Sequence, residues 1–200
     1  VMLAVGIGIG SHASKESLAP AEPALESLGM GAVAYALLTV SPILMGVVTP
    51  LLWGALWDHS RRWVILLAPF GELIGAVHVA LGLNVLGAHM GALSGSLLLG
   101  GLAFMSVCKA GVAIAQFSLV GRVCGRNSAG MFAILIIAKH LISIGATWVV
   151  PRILTEAAPL PSVDHRAGGA IEGVLRVSIL SLLPHAVGCM ASMVLFCMEA

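Results

Sequence analysis

The sequence predicts an all-α membrane protein, a polytopic bundle of six transmembrane helices. Its 200 residues are 59% hydrophobic and only 10% charged, and the mean hydropathy is +1.05. A soluble domain has roughly 25% charged residues, so this chain has too few polar side chains to cover a surface in water. Several apolar runs reach the ~20 residues that cross a bilayer as a helix. The 24 glycines suit helices that pack closely in lipid.

Five apolar runs are long enough to span a bilayer. They cover residues 29–57, 63–87, 93–120, 128–150 and 173–198. The opening run VMLAVGIGIG would extend only ~15 Å as a helix, and we expect it to be the end of a truncated first transmembrane helix. The sequence therefore predicts a single six-helix domain over residues 1–200, as a piece of a longer protein.

The connectors between the runs predict the orientation of the domain. Connectors 58–62 and 121–127 are short and hold four arginines against one aspartate, whereas basic residues are sparse in the long connectors 11–28 and 151–172. Lysine and arginine density marks the cytoplasmic side of a membrane, so we expect the two short connectors to be cytoplasmic.

The order of runs and connectors also suggests internal symmetry. The first three and the last three helices would each form a three-helix unit, and an odd number of spans gives the two units opposite orientations, as in the inverted repeats of transporters. Tryptophan is expected near the membrane–water interfaces. The four tryptophans lie near the ends of the runs: Trp53, Trp57, Trp63 and Trp148.

The stretch GALWDHSRR resembles the loop between helices two and three of the major facilitator superfamily, whose pattern is G-x-x-x-D-[RK]-x-G-[RK]-[RK]. Gly54 and Asp58 match this pattern at the right spacing. His59 stands where a basic residue is usual, and Arg61 and Arg62 fit the basic pair once the preceding glycine is deleted. The resemblance covers the whole chain as the six-helix amino-terminal half of a carrier with about twelve helices.

This resemblance implies a secondary transporter in which two six-helix halves rock around a central cavity. It also implies a conformational gating loop of Gly54, Asp58, Arg61 and Arg62. We expect Gly54 to allow close helix contact and Asp58 to cap the amino terminus of a neighbouring helix. The two arginines would anchor the loop at the anionic inner leaflet.

The chain also departs from that family. An arginine early in helix four, followed by R-x-x-Q-G, is absent, which argues against a typical drug–proton antiporter. The stretches AGVAIAQFSLVGR and GMFAILIIAKHLISIGATW are loosely similar to the lysosomal dipeptide-carrier branch. The resemblance is thus compatible with the plasma membrane or with an organelle membrane.

Ionisable residues inside the apolar runs are the candidates for a substrate or ion pathway. Such residues cost at least ~2.5 kcal/mol each on insertion scales and are functional candidates by default. The helical rise places them ~15–18 Å from the cytoplasmic end, near the midplane, where carriers hold substrates and coupling ions. We expect Glu72 to pair with Lys109 or Lys139, as a structural ion pair or as a proton-linked switch. The full set of candidates is Glu72, Lys109, Gln116, Lys139, His140 and His185.

These residues favour a carrier of a small polar, anionic or zwitterionic solute, with or without proton coupling, whose partners are the lipid bilayer, the solute and a second six-helix half. One alternative is a membrane scaffold or receptor without transport. The other is an intramembrane protease, which needs G-x-S-G; GALSGS has Ala92 in place of the glycine and lies far from His185 in depth. We expect no enzyme activity, catalytic residue, metal or cofactor. A net charge of +1 provides no basic field for nucleic acid.

Overall fold

The computed structural model describes residues 32–87, 91–156 and 166–198, and all of them are helical. The elements are α1 (Ala32–Gly87), α2 (Gly91–Cys124), a 3₁₀ turn (Gly125–Asn127), α3 (Ser128–Glu156) and α4 (Arg166–Met198). The all-α prediction is confirmed for these ranges. The apolar opening run 1–10 and the connector 11–28 lie outside the described residues.

Two stretches of the described helices are long and apolar enough to cross a membrane. They are Val47–Gly82, with a mean hydropathy of 2.0, and Ser96–Ala138, with a mean hydropathy of 1.9. A shorter apolar stretch covers Leu182–Met198. The prediction of membrane-spanning helices is therefore confirmed in part, by length and composition, whereas six spans and an inverted repeat stay predictions.

Helix α1 consists of two arms that meet at Ser60. Ser60 has φ −156° and ψ 82°, outside the helical region. A Cβ added to Gly111 of α2 would lie 2.6 Å from Cδ2 of Trp53 and 2.8 Å from Cβ of Ala68. A straight helix would separate these two residues by ~22 Å. The chain therefore reverses at Ser60 inside the predicted 58–62 connector, and arms α1a (32–59) and α1b (61–87) lie side by side.

Arm α1b packs antiparallel against α2 through glycines. A Cβ added to Gly75 would lie 2.9 Å from the carbonyl oxygen of Gly101, and one added to Gly101 would lie 2.9 Å from that of Gly75. One turn along, Gly71 faces the side chain of Cys108. Such contacts bring two helix backbones together, which a larger side chain would prevent.

No described helix lies close to Gly54, and the helix contact expected there stays a prediction. A Cβ added to Gly54 would have no atom of the described chain within 4 Å. Gly71, Gly75 and Gly101 make close contacts between the described helices.

Helix α4 packs against another side of α1b, also antiparallel. The Cys189 thiol donates a hydrogen bond to the carbonyl oxygen of Pro69 at 3.4 Å, and Ala191 packs with Ala68 and Val112. Arm α1b is thus the central element, since α1a, α2 and α4 all pack against it.

Two tryptophans of α1a pack against α2. Trp57 is buried with Val64, Ile65 and neighbouring residues of α2. The indole nitrogen of Trp53 donates a hydrogen bond to the carbonyl oxygen of Val107 at 2.6 Å. Both rings contact α2, and their expected depth near a membrane–water interface stays a prediction.

The helices extend further than the apolar runs. Gly125, with φ +49°, ends α2 in the left-handed conformation that glycine adopts without steric cost. Helix α3 continues to Glu156 and α4 begins at Arg166, so the predicted connector 151–172 is partly helical. Hydropathy marks where a run stops being apolar, whereas backbone hydrogen bonding can continue through polar residues.

Much of the described surface is apolar. Leu51 is 76% exposed and Val47 is 71% exposed on α1a. Helix α3 exposes a series of large side chains that includes Ile134, Ile137, Leu141, Ile144 and Trp148. Contiguous apolar surface of this kind is unusual on a monomeric protein in water and marks a surface that contacts lipid or another chain.

We predict that Gly111→Ala destabilises the protein by about 1–3 kcal/mol, the usual cost of overpacking. The added methyl group would press on Trp53 and Ala68 at less than 3 Å. Thermal unfolding in detergent, followed by the reaction of a maleimide dye with newly exposed thiols, measures this loss.

The matched control is Gly100→Ala, in the same helix, where a Cβ would have no described atom within 4 Å. That variant should unfold at the same or a higher temperature, since alanine favours a helix over glycine by ~1 kcal/mol. Equal unfolding temperatures for the two variants would show that Gly111 is not a tight contact.

Candidate functional site

A carboxylate and an imidazole meet in the interior between α1b and α4. Glu72 and His185 are each 2% exposed. Nδ1 of His185 lies 3.8 Å from Oε2 of Glu72. This distance suits an ion pair when the ring is protonated, but it is longer than a hydrogen bond. Protonation therefore decides how strongly α4 is held to α1b at this level.

Lys109 of α2 belongs to the same level of the bundle. Gly71 meets the side chain of Cys108, and because α1b and α2 are antiparallel, the residues that follow, Glu72 and Lys109, differ in height by only ~3 Å. Lys109 is half-buried, and its charge acts on His185 through space. Lys109 and Glu72 also have further polar or electrostatic contacts. We call Glu72, Lys109 and His185 the polar layer.

Two buried thiols lie beside the polar layer. Cys108 is 3% exposed and Cys189 is 4% exposed, and the charge of Glu72 acts on both. Both cysteines are free. Within the described ranges, no three histidine, cysteine or acidic side chains are grouped so that they could hold a metal ion. Cys189 could have been found from the sequence, since it is four residues after His185 and thus on the same helix face.

The other sequence candidates are not seen in the polar layer. Gln116 is buried, but it follows Lys109 by seven residues, or ~10.5 Å of helix toward the Ser60 turn. His140 on α3 is exposed. The side chain of Lys139 lies outside the described residues. The structure thus brings together three of the six candidates.

The gating-loop candidates differ in their surroundings. Asp58 and Arg61 are exposed at the Ser60 turn, whereas Arg62 is half-buried. Nε of Arg62 donates a hydrogen bond to the carbonyl oxygen of Phe196 at 3.2 Å. Its guanidinium carbon lies 4.2 Å from the centroid of the Phe196 ring, and the ring of Trp63 lies 5.5 Å from the same ring. We call these three residues the Phe196 clamp.

The Phe196 clamp joins the turn of α1 to the end of α4. Phe196 is in the last turn of α4, where carbonyl groups have no helical donor and where a positive charge is favourable. A cation over an aromatic face adds further attraction. Arg62 therefore holds a neighbouring helix, in addition to any contact with lipid. Phe196 was missed by the sequence analysis because no local pattern marks an aromatic residue as the partner of an arginine 134 positions away.

No family model, curated protein or solved structure matches this sequence. The fold and the site of the described residues therefore define the class on their own: helices throughout the described ranges, two stretches of membrane-crossing length, and a buried carboxylate–imidazole pair with a half-buried lysine. The likeness of the Gly54–Arg62 loop to the major facilitator superfamily stays a prediction.

We predict that Arg62→Ala lowers stability by about 1–2 kcal/mol, because the variant loses a charge-assisted hydrogen bond and a cation–π contact. The control Arg61→Ala removes the same charge from an exposed neighbour and should change stability by no more than ~0.5 kcal/mol. Thermal unfolding of both variants in the same detergent makes the comparison. An equal loss for both arginines would contradict a clamp at Phe196.

Proposed function

We propose that this chain is the six-helix amino-terminal half of a secondary carrier of the major facilitator type. The carrier moves a small polar, anionic or zwitterionic solute across a membrane by alternating access. The observation that carries the proposal is the polar layer, in which α1b, α2 and α4 each contribute one ionisable side chain to the interior of an apolar bundle.

The cost of the polar layer supports a functional role. Burying charged groups costs several kcal/mol even when they are paired, and apolar side chains of the same volume would often stabilise the bundle more. Ionisable residues retained among apolar helices mark substrate pathways, ion pathways and proton relays. Glu72, Lys109 and His185 fit this description through their residue types and their shared height.

The depth of the polar layer supports a site halfway through a bilayer. Glu72 is twelve residues from Ser60, or ~18 Å of helix. Lys109 is fifteen residues from the end of α2 at Cys124, or ~22 Å, and His185 is thirteen residues from the end of α4 at Met198, or ~20 Å. These heights lie near the middle of a hydrocarbon core ~30 Å thick, once helix ends in the headgroup region are included.

The exposed surface supports a membrane location. Large exposed apolar side chains cover α1a and α3. Contact of such a surface with lipid is favourable, whereas its exposure to water is not. Arg61, Arg122 and Arg126 are exposed near the end of the bundle that holds the Ser60 turn. A basic end next to apolar walls is typical of the cytoplasmic side.

The two alternatives account less well for these observations. A scaffold or receptor has no need of a buried carboxylate beside an imidazole. An intramembrane protease would need a serine within hydrogen-bond reach of its base. The serine of the GALSGS match, Ser94, is fourteen residues, or ~21 Å of helix, from Cys108 at the level of His185.

We predict that the full-length protein in proteoliposomes takes up at least one member of a panel of amino acids, dipeptides, sugars and sugar acids. A proton gradient should stimulate this uptake, and Glu72→Gln should reduce the stimulated part about 5–150-fold, the range of a typical coupling free energy. Glutamine keeps the shape of the side chain but cannot release a proton.

The control variant is His78→Gln, on the same arm of α1. His78 is exposed, and its Nδ1 lies 2.8 Å from the carbonyl oxygen of Ile74 on its own helix. This variant should transport as the wild type does. Proton-stimulated uptake that survives Glu72→Gln would rule out a coupling role for Glu72, and no uptake of any panel member would rule out the carrier.

A further inference from the structure

We propose that Thr49 of α1a is a positioning residue for the polar layer, and that its hydroxyl group donates a hydrogen bond to the carboxylate of Glu72. The contact itself does not depend on what the protein transports. Its effect on transport rests on the proposed carrier function and deepens it, because it adds a residue to the surroundings of Glu72. Thr49 was not among the candidates from the sequence, since it is uncharged and lies in an apolar run.

The two arms of α1 pair in an antiparallel order that follows from the reversal at Ser60. Trp57, three residues before Ser60, packs with Val64, four residues after it. One helical turn further from the reversal, Trp53 packs against the cluster that contains Ala68, and these two side chains approach the same point of α2. Each step of four residues back along α1a is thus matched by a step of four residues forward along α1b.

The next step along the two arms pairs Thr49 with Glu72. Residues four apart lie on the same face of a helix, so Thr49 continues the face of Trp53. In the same way, Glu72 continues the face of Ala68. Thr49 and Glu72 are also at almost the same depth, ~16 Å and ~18 Å of helix from the Ser60 turn. The hydroxyl and the carboxylate therefore face each other across the two arms.

Both side chains are buried, so each needs a partner inside the protein. Thr49 is 4% exposed and Glu72 is 2% exposed, and a buried polar group without a partner is costly. Each of them has at least one polar or electrostatic contact. A carboxylate accepts several hydrogen bonds and a hydroxyl donates one, so a bond between the two leaves room for their other contacts. The competing arrangement is a hydroxyl that donates to a carbonyl of its own helix.

A hydrogen bond from Thr49 gives Glu72 a close donor on α1a. Nδ1 of His185 lies 3.8 Å from Oε2 of Glu72, which is longer than a hydrogen bond. On the side of α2, the side chain of Cys108 lies at Gly71, next to Glu72. The Thr49 hydroxyl then sets the direction of the carboxylate relative to the imidazole. Thr49 thus acts through Glu72 and needs no contact with a solute.

The first test measures the contact without transport, by thermal unfolding of the full-length protein in detergent. Thr49→Val keeps the shape of the side chain and removes the hydroxyl, and it should lower the unfolding temperature by about 2 °C. In a Glu72→Met background, which has similar volume but no carboxylate, the same change should cost much less, because residues in contact are not additive.

The control for this test is Ser106→Ala, which removes a hydroxyl that bonds the carbonyl oxygen of Leu102 on its own helix at 2.8 Å. Its effect should be equal in the two backgrounds. If Glu72→Met does not fold, Glu72→Gln takes its place. An amide oxygen is a weaker acceptor than a carboxylate, so the loss caused by Thr49→Val should then be smaller than in the wild type.

The second test measures the effect on transport in proteoliposomes, with the panel solute that the wild type takes up. Thr49→Val should lower the maximal rate of proton-stimulated uptake at least ~5-fold, the lower end of a typical coupling free energy. The half-saturating solute concentration should change less than this rate, because Thr49 acts through Glu72. Thr49→Ser keeps the hydroxyl and should retain most of the stimulated uptake.

The two tests separate this inference from the carrier proposal. An equal loss from Thr49→Val with and without the Glu72 carboxylate shows a bond within α1a and overturns the inference, whatever the protein transports. Unchanged proton-stimulated uptake in Thr49→Val, or an equal loss in Thr49→Ser, overturns the positioning role. Uptake of no panel member by the wild type overturns the carrier function, whereas the unfolding test still decides the contact between Thr49 and Glu72.

Discussion

The backbone contact between Gly75 and Gly101 determines how the rest of the structure is arranged. Because each glycine approaches the carbonyl oxygen of the other, α1b and α2 can take only one register along this face. That register sets Gly71 against Cys108, and it places Glu72 and Lys109 within ~3 Å of each other in height. The positions of the ionisable side chains thus depend on glycines, which have no functional side chain.

Helix α4 is held to α1b at two separate heights with different chemistry. At the end of the bundle the Phe196 clamp uses an arginine that stays charged at any physiological pH. In the interior the contact is Glu72 with His185, 3.8 Å apart, and its strength depends on the protonation of the ring. The two attachments of α4 therefore differ in chemistry: one keeps its charge at physiological pH, and the other is a buried pair separated by more than a hydrogen-bond distance.

Much of this architecture could be predicted from the sequence, because apolar runs and polar interruptions act locally. The helices follow the apolar runs, and the reversal falls at Ser60 inside the polar DHSRR stretch. Glu72, Lys109 and His185 could be identified because each interrupts an apolar run. The local sequence does not show which of the 24 glycines face another helix, because tertiary packing determines this. The role expected of Gly54 could therefore not be derived from its neighbours in the sequence. The partner of Phe196 lies on a distant helix, so the local sequence does not indicate it. The residue type of Gln116 does not indicate its level along the bundle.

The packing of Trp53 against α2 limits which substitutions the contact can accept. The indole rests where a side chain on Gly111 would be, and it shares the Val107 carbonyl with the helical N–H of Gly111. A larger residue at 111 would need space from both neighbours, since an added Cβ lies 2.6 Å from the Trp53 ring and 2.8 Å from Cβ of Ala68. The side-chain sizes at positions 53, 68 and 111 therefore constrain one another.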